Sequence, residues 1–204
     1  ADHFAKLRID LKRGARAKAV DVQKKTIALD DGSTLAYDRL LIATGSTPAK
    51  PPIPGIDSAG VLHCWTLKDA REIAQRAVKG ARVLQMGAGF IGCIIMESLA
   101  ARGVQLTVVE MGDRMVPRMM GPAAGNMIKA WCEKKGVRVF TGTKVTGIEA
   151  GSPLQVSLSN GEKHPYDLVI NATGVRPNVA FLKDSGVKVN VGVVTDTRMQ
   201  SSVD

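Results

Sequence analysis

Three glycines and one carboxylate hold the clearest chemistry in this chain. Gly87-Ala88-Gly89-Phe90-Ile91-Gly92 reads G-x-G-x-x-G, and Glu110 stands eighteen residues past the last glycine. Gly87 permits a tight strand-to-helix turn, Gly89 lets the backbone approach a diphosphate, and Gly92 lets the helix lie close on the strand. The free amides and dipole at a helix N-terminus favour the diphosphate charge. Glu110 can accept hydrogen bonds from both hydroxyls of an adenosine ribose. A 2′-phosphate about 4 Å from that carboxylate would meet up to ~4 kcal/mol of repulsion at an effective dielectric near 20. NADH is therefore favoured over NADPH. Arg114 and Arg118, downstream, could receive such a phosphate; alternatively they are solvated or touch the cofactor's own phosphates.

A lone glycine motif is weak evidence, so the flanking elements decide its meaning. Arg82–Met86 reads as a short buried strand running into the motif. Ile91, Ile95 and Leu99, with Ile94 beside them, fall at helical spacing on one face, and Gly103 supplies the stop. Gln105–Val109 is the next strand, with Glu110 at its carboxyl end. Strand before, helix after and acid on the following strand end make the signal strong. Further along, a helix is expected from Leu67 to Val78 and another from about Pro122 to Lys135, closed by Gly136. The strand Val137–Phe140 follows, then strands near 144–149 and 154–159.

The chain also repeats itself. Asp31-Gly32, Tyr37-Asp38, Ala43-Thr44-Gly45 and Pro48 are matched 129 positions later by Asn160-Gly161, Tyr166-Asp167, Ala172-Thr173-Gly174 and Pro177. Each copy reads as a short alternating strand, a tight Asp-Gly or Asn-Gly turn, then Tyr-Asp and an apolar strand ending in Ala-Thr-Gly. Two related domains are implied, one interrupted by the other.

This order of motifs, closing in Ala-Thr-Gly-Val175-Arg176-Pro177-Asn178, resembles the pyridine nucleotide–disulfide oxidoreductase superfamily over nearly the whole chain. Those enzymes insert an NAD(P)H-binding domain into an FAD-binding domain, and the closest wording is that of the single-flavin NADH-dependent reductases. The resemblance implies that Gly87, Gly89, Phe90, Ile91 and Gly92 wrap the NADH diphosphate and that Glu110 holds its ribose. Thr173 and Gly174 would line the nicotinamide side, while Thr44 and Gly45 would approach the flavin nucleotide. NADH would pass hydride to the flavin, which would reduce a disulfide, oxygen or a ferredoxin- or rubredoxin-type carrier. One departure concerns nicotinamide placement: the family's usual glutamate two residues after the third glycine is Ile94 here.

The expected architecture is α/β: a Rossmann-like domain with a parallel sheet, helices and a β-meander, and truncated remnants of an FAD-binding domain at both ends. Residues 1–50 form the first remnant, 51–65 a Pro-rich linker, 66–178 the NAD(H)-binding domain and 179–204 a return segment. By the repeat, the first copy should have its own glycine motif before Tyr37, and the chain starts too late to hold one. A fragment is expected, inactive alone, with FAD belonging to the full-length protein. Val187-Lys188-Val189 and Val193-Val194 suggest strands with partners elsewhere, whose exposed edges favour a homodimer.

Other residues offer less. Cys64, Cys93 and Cys132 lack C-x-x-C or metal-ligand spacing and read as small core residues, so neither a catalytic residue nor a metal site is assigned. An odd cysteine count without a secretory signal suggests a reducing, cytoplasmic setting. His3, His63 and His164 are isolated. The cluster Met111, Met115, Met119, Met120 and Met127 reads as core filler or as an adaptable contact surface. No apolar run approaches the ~20 residues of a membrane span. The net charge is +9, and Lys6, Arg8, Lys12, Arg13, Arg16, Lys18, Lys24 and Lys25 make the first repeat basic. They alternate with apolar residues as a solvated strand face would, and few aromatics are available for stacking, which argues against nucleic acid. An acidic redox-carrier protein is the partner such a surface would suit. Two other classes fit parts of the pattern: a non-enzymatic NAD(H)-binding or assembly module, and an S-adenosylmethionine-dependent methyltransferase, which would not carry the paired Ala-Thr-Gly strands.

Overall fold

The computed structural model describes residues 2–203; Ala1 and Asp204, the outermost residues of the expected end segments, lie outside them. In chain order the elements begin with α1 (Asp2–Lys6), β1 (Ala17–Asp21), β2 (Thr26–Leu29), β3 (Thr34–Ala36), β4 (Ser46–Pro48), β5 (Val61–His63), α2 (Leu67–Arg76) and β6 (Arg82–Met86). They continue with α3 (Phe90–Ala101), β7 (Gln105–Val109), α4 (Pro122–Lys134), β8 (Arg138–Phe140), β9 (Val145–Glu149), β10 (Leu154–Leu158), β11 (Lys163–Tyr166), β12 (Leu168–Asn171) and β13 (Val175–Pro177). The chain divides into two compact units. One joins the residues up to Ser46 with those from Arg176, and the other is Thr47–Val175.

The Thr47–Val175 unit is built on a parallel sheet in the order β5-β12-β6-β7-β8. β5 lies within the Pro-rich stretch 51–65 and forms one edge. Alternate side chains of these strands serve two cores. Val83, Leu106, Val108, Leu168 and Ile170 join Ile73, Met96, Leu99 and Cys132 of the helical layer. Leu84, Met86, Val109 and Val169 join Val145, Ile148, Leu154, Val156 and Leu158 of the antiparallel meander β9-β10-β11. Burial on both faces explains why these strands read as apolar runs. Helix α2 opens with a capping box, in which the Thr66 hydroxyl accepts the Asp69 amide and the Asp69 carboxylate accepts the Thr66 amide. Its last carbonyls are taken by Arg102, whose guanidinium reaches Ala77 O at 2.8 Å and Ala74 O beside it.

The repeat is visible at the level of single hydrogen bonds. In the β2–β3 turn, Asp31 Oδ1 accepts the Ser33 amide at 2.8 Å, Gly32 sits at φ +84°, and Leu29 N donates to Ser33 O. In the β10–β11 turn, Asn160 Oδ1 accepts the Glu162 amide at 3.0 Å, Gly161 sits at φ +88°, and Leu158 N donates to Glu162 O. The first unit folds its own meander β1-β2-β3, and the 3₁₀ turn Ala180–Leu182 packs on β1.

Four expectations require correction. Ile91 and Ile94 do not face the core; Gly92, Met96 and Leu99 do. The phase of α3 is fixed by Gly92, whose missing side chain is what allows contact with the strand. Leu40–Gly45 is not a strand, and Leu41 is 87% exposed. Its counterpart β12 lies between β5 and β6, whereas Leu40–Gly45 has no neighbouring strand among the described residues. Likewise Val187–Val194 holds only an isolated bridge between Val189 and Val193, with Gly186 turning the chain at φ +86°. The basic stretch before Arg16 is not a strand face either: it follows α1 as irregular chain, with Arg8 at φ +54° and Gly14 at φ +78°. Of the methionine cluster, only Met115 is buried; Met111, Met119, Met120 and Met127 are exposed. No helix among the described residues is long and apolar enough to cross a membrane.

Asp167 joins the first residues of β6 and β12. Its Oδ2 accepts the Arg82 amide at 2.8 Å, and the guanidinium grips both carboxylate oxygens. The Arg82 side chain, then its amide, holds the Asp167 carboxyl below the usual carboxylate range. A depressed value means stability that is present above the unfolded value of about 3.9 and lost as pH falls through the folded one. Asp167 is 40% exposed, so screening limits the ion pair to about 1 kcal/mol or less. Asp167→Asn is expected to lower the urea midpoint slightly near pH 7, with the difference from the parent shrinking as pH falls below about 3.9; urea titrations across that range check this.

Candidate functional site

β6 delivers the chain into the glycine turn, and Gly87 N donates to Val109 O on the neighbouring strand at 2.8 Å. Gly87 sits at φ +97°, and a Cβ there would lie 2.5 Å from Ala172 O. A Cβ on Gly92 would lie 2.6 Å from Gly87 O and 2.9 Å from Gln85 Nε2. Gly89 is different: it has ordinary extended geometry, and a Cβ would meet nothing within 4 Å. Two of the glycines are therefore required by protein packing. The third faces open space above the start of α3.

Helix α3 begins at Phe90 without a side-chain cap. Its first backbone bond is Cys93 N to Gly89 O, and among the described residues the amides of Gly89, Phe90, Ile91 and Gly92 have no backbone acceptor. These four donors, at the positive end of the helix, can receive an anion. Phe90, Ile91 and Ile94 are 59%, 53% and 52% exposed, so the outer face of the same turn is apolar.

Glu110 has two partners within the protein. Its Oε2 accepts the Ala88 amide and its Oε1 accepts the Gly112 amide, each at 2.7 Å. An ionised carboxylate has about four lone-pair sites, so roughly two stay free for hydroxyls. Ala88 is held again through its carbonyl, which accepts Val116 N at 2.9 Å. Val116 is β-branched, buried and at φ +49°, a conformation costing on the order of 1–3 kcal/mol. Arg114 is not free for a phosphate. It binds Asp113 at 2.7 Å and 3.0 Å and the carbonyls of Met120 and Pro117. Arg118 is exposed.

Thr173 and Gly174 follow β12, the strand beside β6, so they stand next to the glycine turn. The Thr173 hydroxyl donates to Asn171 Oδ1 at 2.7 Å, and the buried Asn171 amide donates to Ala49 O at 2.9 Å. Gly174 takes φ +124°. Thr44 and Gly45 lie in the other compact unit. There the Thr44 hydroxyl donates to Asn178 O, the Asn178 side chain donates to Thr44 O, and Asn178 N donates to Gly45 O. Burial pushes all three cysteine thiols up, which keeps them poor nucleophiles. The braces missed from sequence are Gln85, Ala88, Gly112 and Val116. Only Gln85, an amide inside an apolar strand, gave a readable signal.

The sequence matches the family model described as pyridine nucleotide-disulphide oxidoreductase over residues 2–204. It is 33% identical to the NADH-dependent phenylglyoxylate dehydrogenase subunit epsilon of Aromatoleum evansii, over all of this chain and 48% of that protein. The fold is similar to that in the covalent putidaredoxin reductase–putidaredoxin complex, with a TM-score of 0.92 and 28% identity over 98% of this chain and 50% of the other. It is also similar to the water-forming NADH oxidase from Lactobacillus brevis bound to NADH, with a TM-score of 0.89 and 27% identity over 98% of this chain and 46% of the other. The chain spans about half the length of these relatives.

The glycines should separate on substitution. Gly87→Ala meets both a backbone oxygen and a strained φ, and is expected to cost more than about 2 kcal/mol. Gly89→Ala should stay within about 1 kcal/mol. Chemical denaturation of the two variants measures both.

Proposed function

The chain belongs to the pyridine nucleotide-disulphide oxidoreductase family, and we propose that its Thr47–Val175 unit binds NADH for a flavin-dependent oxidoreductase. The observation that carries this reading is the pairing of four open amides at Gly89–Gly92 with a carboxylate that is already fixed in place but keeps free lone pairs. The amides suit a diphosphate, which the unobstructed Gly89 allows close to the backbone. Glu110 suits the two ribose hydroxyls, and its charge disfavours a 2′-phosphate. With Arg114 held by Asp113, Met120 and Pro117, only Arg118 of the two arginines is left to offset that repulsion. NADH is preferred. Thr173 and Gly174, beside Gly87, border the route toward the nicotinamide.

The flavin is read from the family, and the residues in this chain do not make a flavin site by themselves. Thr44 and Gly45 offer one turn, and its hydroxyl and carbonyls are bonded to Asn178. On this reading the segments 1–50 and 179–204 belong to the flavin-binding part of the parent enzyme, while 66–178 holds the nicotinamide nucleotide. This chain's own work is to bind and orient NADH as hydride donor. The acceptor beyond the flavin is a disulfide, oxygen or a small carrier protein, a range that matches the names of the relatives. An acidic carrier would suit the basic first unit.

Calorimetric titration of the purified chain with NADH and NADPH tests the reading. NADH is expected to bind at least about tenfold more tightly, a difference near 1.4 kcal/mol. Gly89→Ala should weaken NADH by about tenfold with little change in unfolding, because the added methyl lies where the diphosphate approaches. Equal affinity for the two nucleotides, or a Gly89→Ala variant that binds as the parent does, would sink it.

A further inference from the structure

Gln85 stands in the middle of β6 with no exposed surface, a primary amide where the strand's other inward residues are apolar. Its Nε2 donates to Gly87 O at 2.9 Å. The same peptide unit continues into Ala88 N, which donates to Glu110 Oε2 at 2.7 Å. In a trans peptide the carbonyl and the N–H point in opposite directions. Gln85 therefore holds one edge of the Gly87–Ala88 peptide from beneath, and Glu110 holds the other from the ribose side. Gly92 leaves the space for this, since a Cβ there would come within 2.9 Å of the Gln85 amide.

We infer that Gln85 is a positioning and specificity-determining residue: through the Gly87–Ala88 peptide it fixes the Glu110 carboxylate and so sets the discrimination between NADH and NADPH. The inference rests on reading this turn as an NADH site. Gly87, at φ +97°, has the conformational freedom to rotate that peptide if the amide beneath is removed. Ala88 N would then leave Glu110, and the carboxylate would keep only its bond to Gly112. A carboxylate free to swing holds the ribose hydroxyls less well and also withdraws from a 2′-phosphate. Loss of Gln85 thus weakens NADH and relaxes rejection of NADPH, whereas simple destabilisation of the core would move both affinities together. The Oε1 of Gln85 has no hydrogen-bond partner. An apolar replacement removes that unpaired oxygen and leaves Gly87 O without its donor, so the two effects on stability oppose each other.

The test uses the 204-residue chain with Gln85→Leu and Gln85→Met, and Ile73→Val on α2 as a core control. NADH and NADPH affinities are measured by calorimetry, and exchange of the Ala88 amide by NMR without nucleotide. Both Gln85 variants are expected to bind NADH about tenfold more weakly, to show an NADH:NADPH ratio reduced at least about threefold, and to lose protection at Ala88. Ile73→Val should change none of these. An unchanged ratio with Ala88 still protected would overturn the inference while leaving the NADH reading intact. A parent chain that binds neither nucleotide would remove the NADH reading and the specificity role with it, and the Ala88 exchange would then report only whether the peptide is clamped.

Discussion

The start of α3 touches the strand that precedes it, backbone against backbone, and the other features of the site are consequences of that contact. It requires glycine at position 92, while Gly87 is required by its own φ and by the approach of Ala172 O. It sets the rotational phase of α3, so that Gly92, Met96 and Leu99 face inward and Phe90, Ile91 and Ile94 face out. It also leaves the helix N-terminus uncapped by any side chain, with its donors turned to open space. Helix α2, by contrast, has its Asp69 amide taken by its own Thr66 side chain. The open donors at the start of α3 are the unsatisfied remainder of its own geometry.

Much of this was legible in the sequence. The strand Arg82–Met86, the strand Gln105–Val109 and the two turns of the internal repeat are where the residue patterns placed them, because glycine, asparagine and aspartate act locally and by known stereochemistry. The phase of α3 was not legible. Four isoleucines and leucines at helical spacing describe several faces, and only the packed glycine chooses among them. Leu40–Gly45 also misled, since its composition matches that of β12 but a strand needs hydrogen-bonded neighbours as well as a sequence. The bonding of Glu110 was hidden for a different reason: its oxygens accept backbone amides, which leave no trace in side-chain identity.

The two units differ in what their shared meander supports. In the Thr47–Val175 unit the meander covers one face of a five-stranded sheet and helices cover the other. In the other unit the same turns, bond for bond, stand on a small core around Val20, Leu29 and Leu182. Local turn chemistry was evidently sufficient to build the hairpin twice. It does not by itself provide the surface against which a hairpin becomes part of a larger domain.

The position of β12 has a kinetic meaning. It is the last strand of the parallel sheet along the chain, yet it lies between β5 and β6, near the sheet's centre. During synthesis, β6, β7 and β8 can pair through their helical crossovers, but β5 cannot join them until residues 168–171 emerge. Roughly a hundred residues separate β5 from β12, a long loop to close before any reward. The unit is thus committed to finishing late, with open strand edges in the meantime, and its assembly depends on sequence that has no part in the glycine turn.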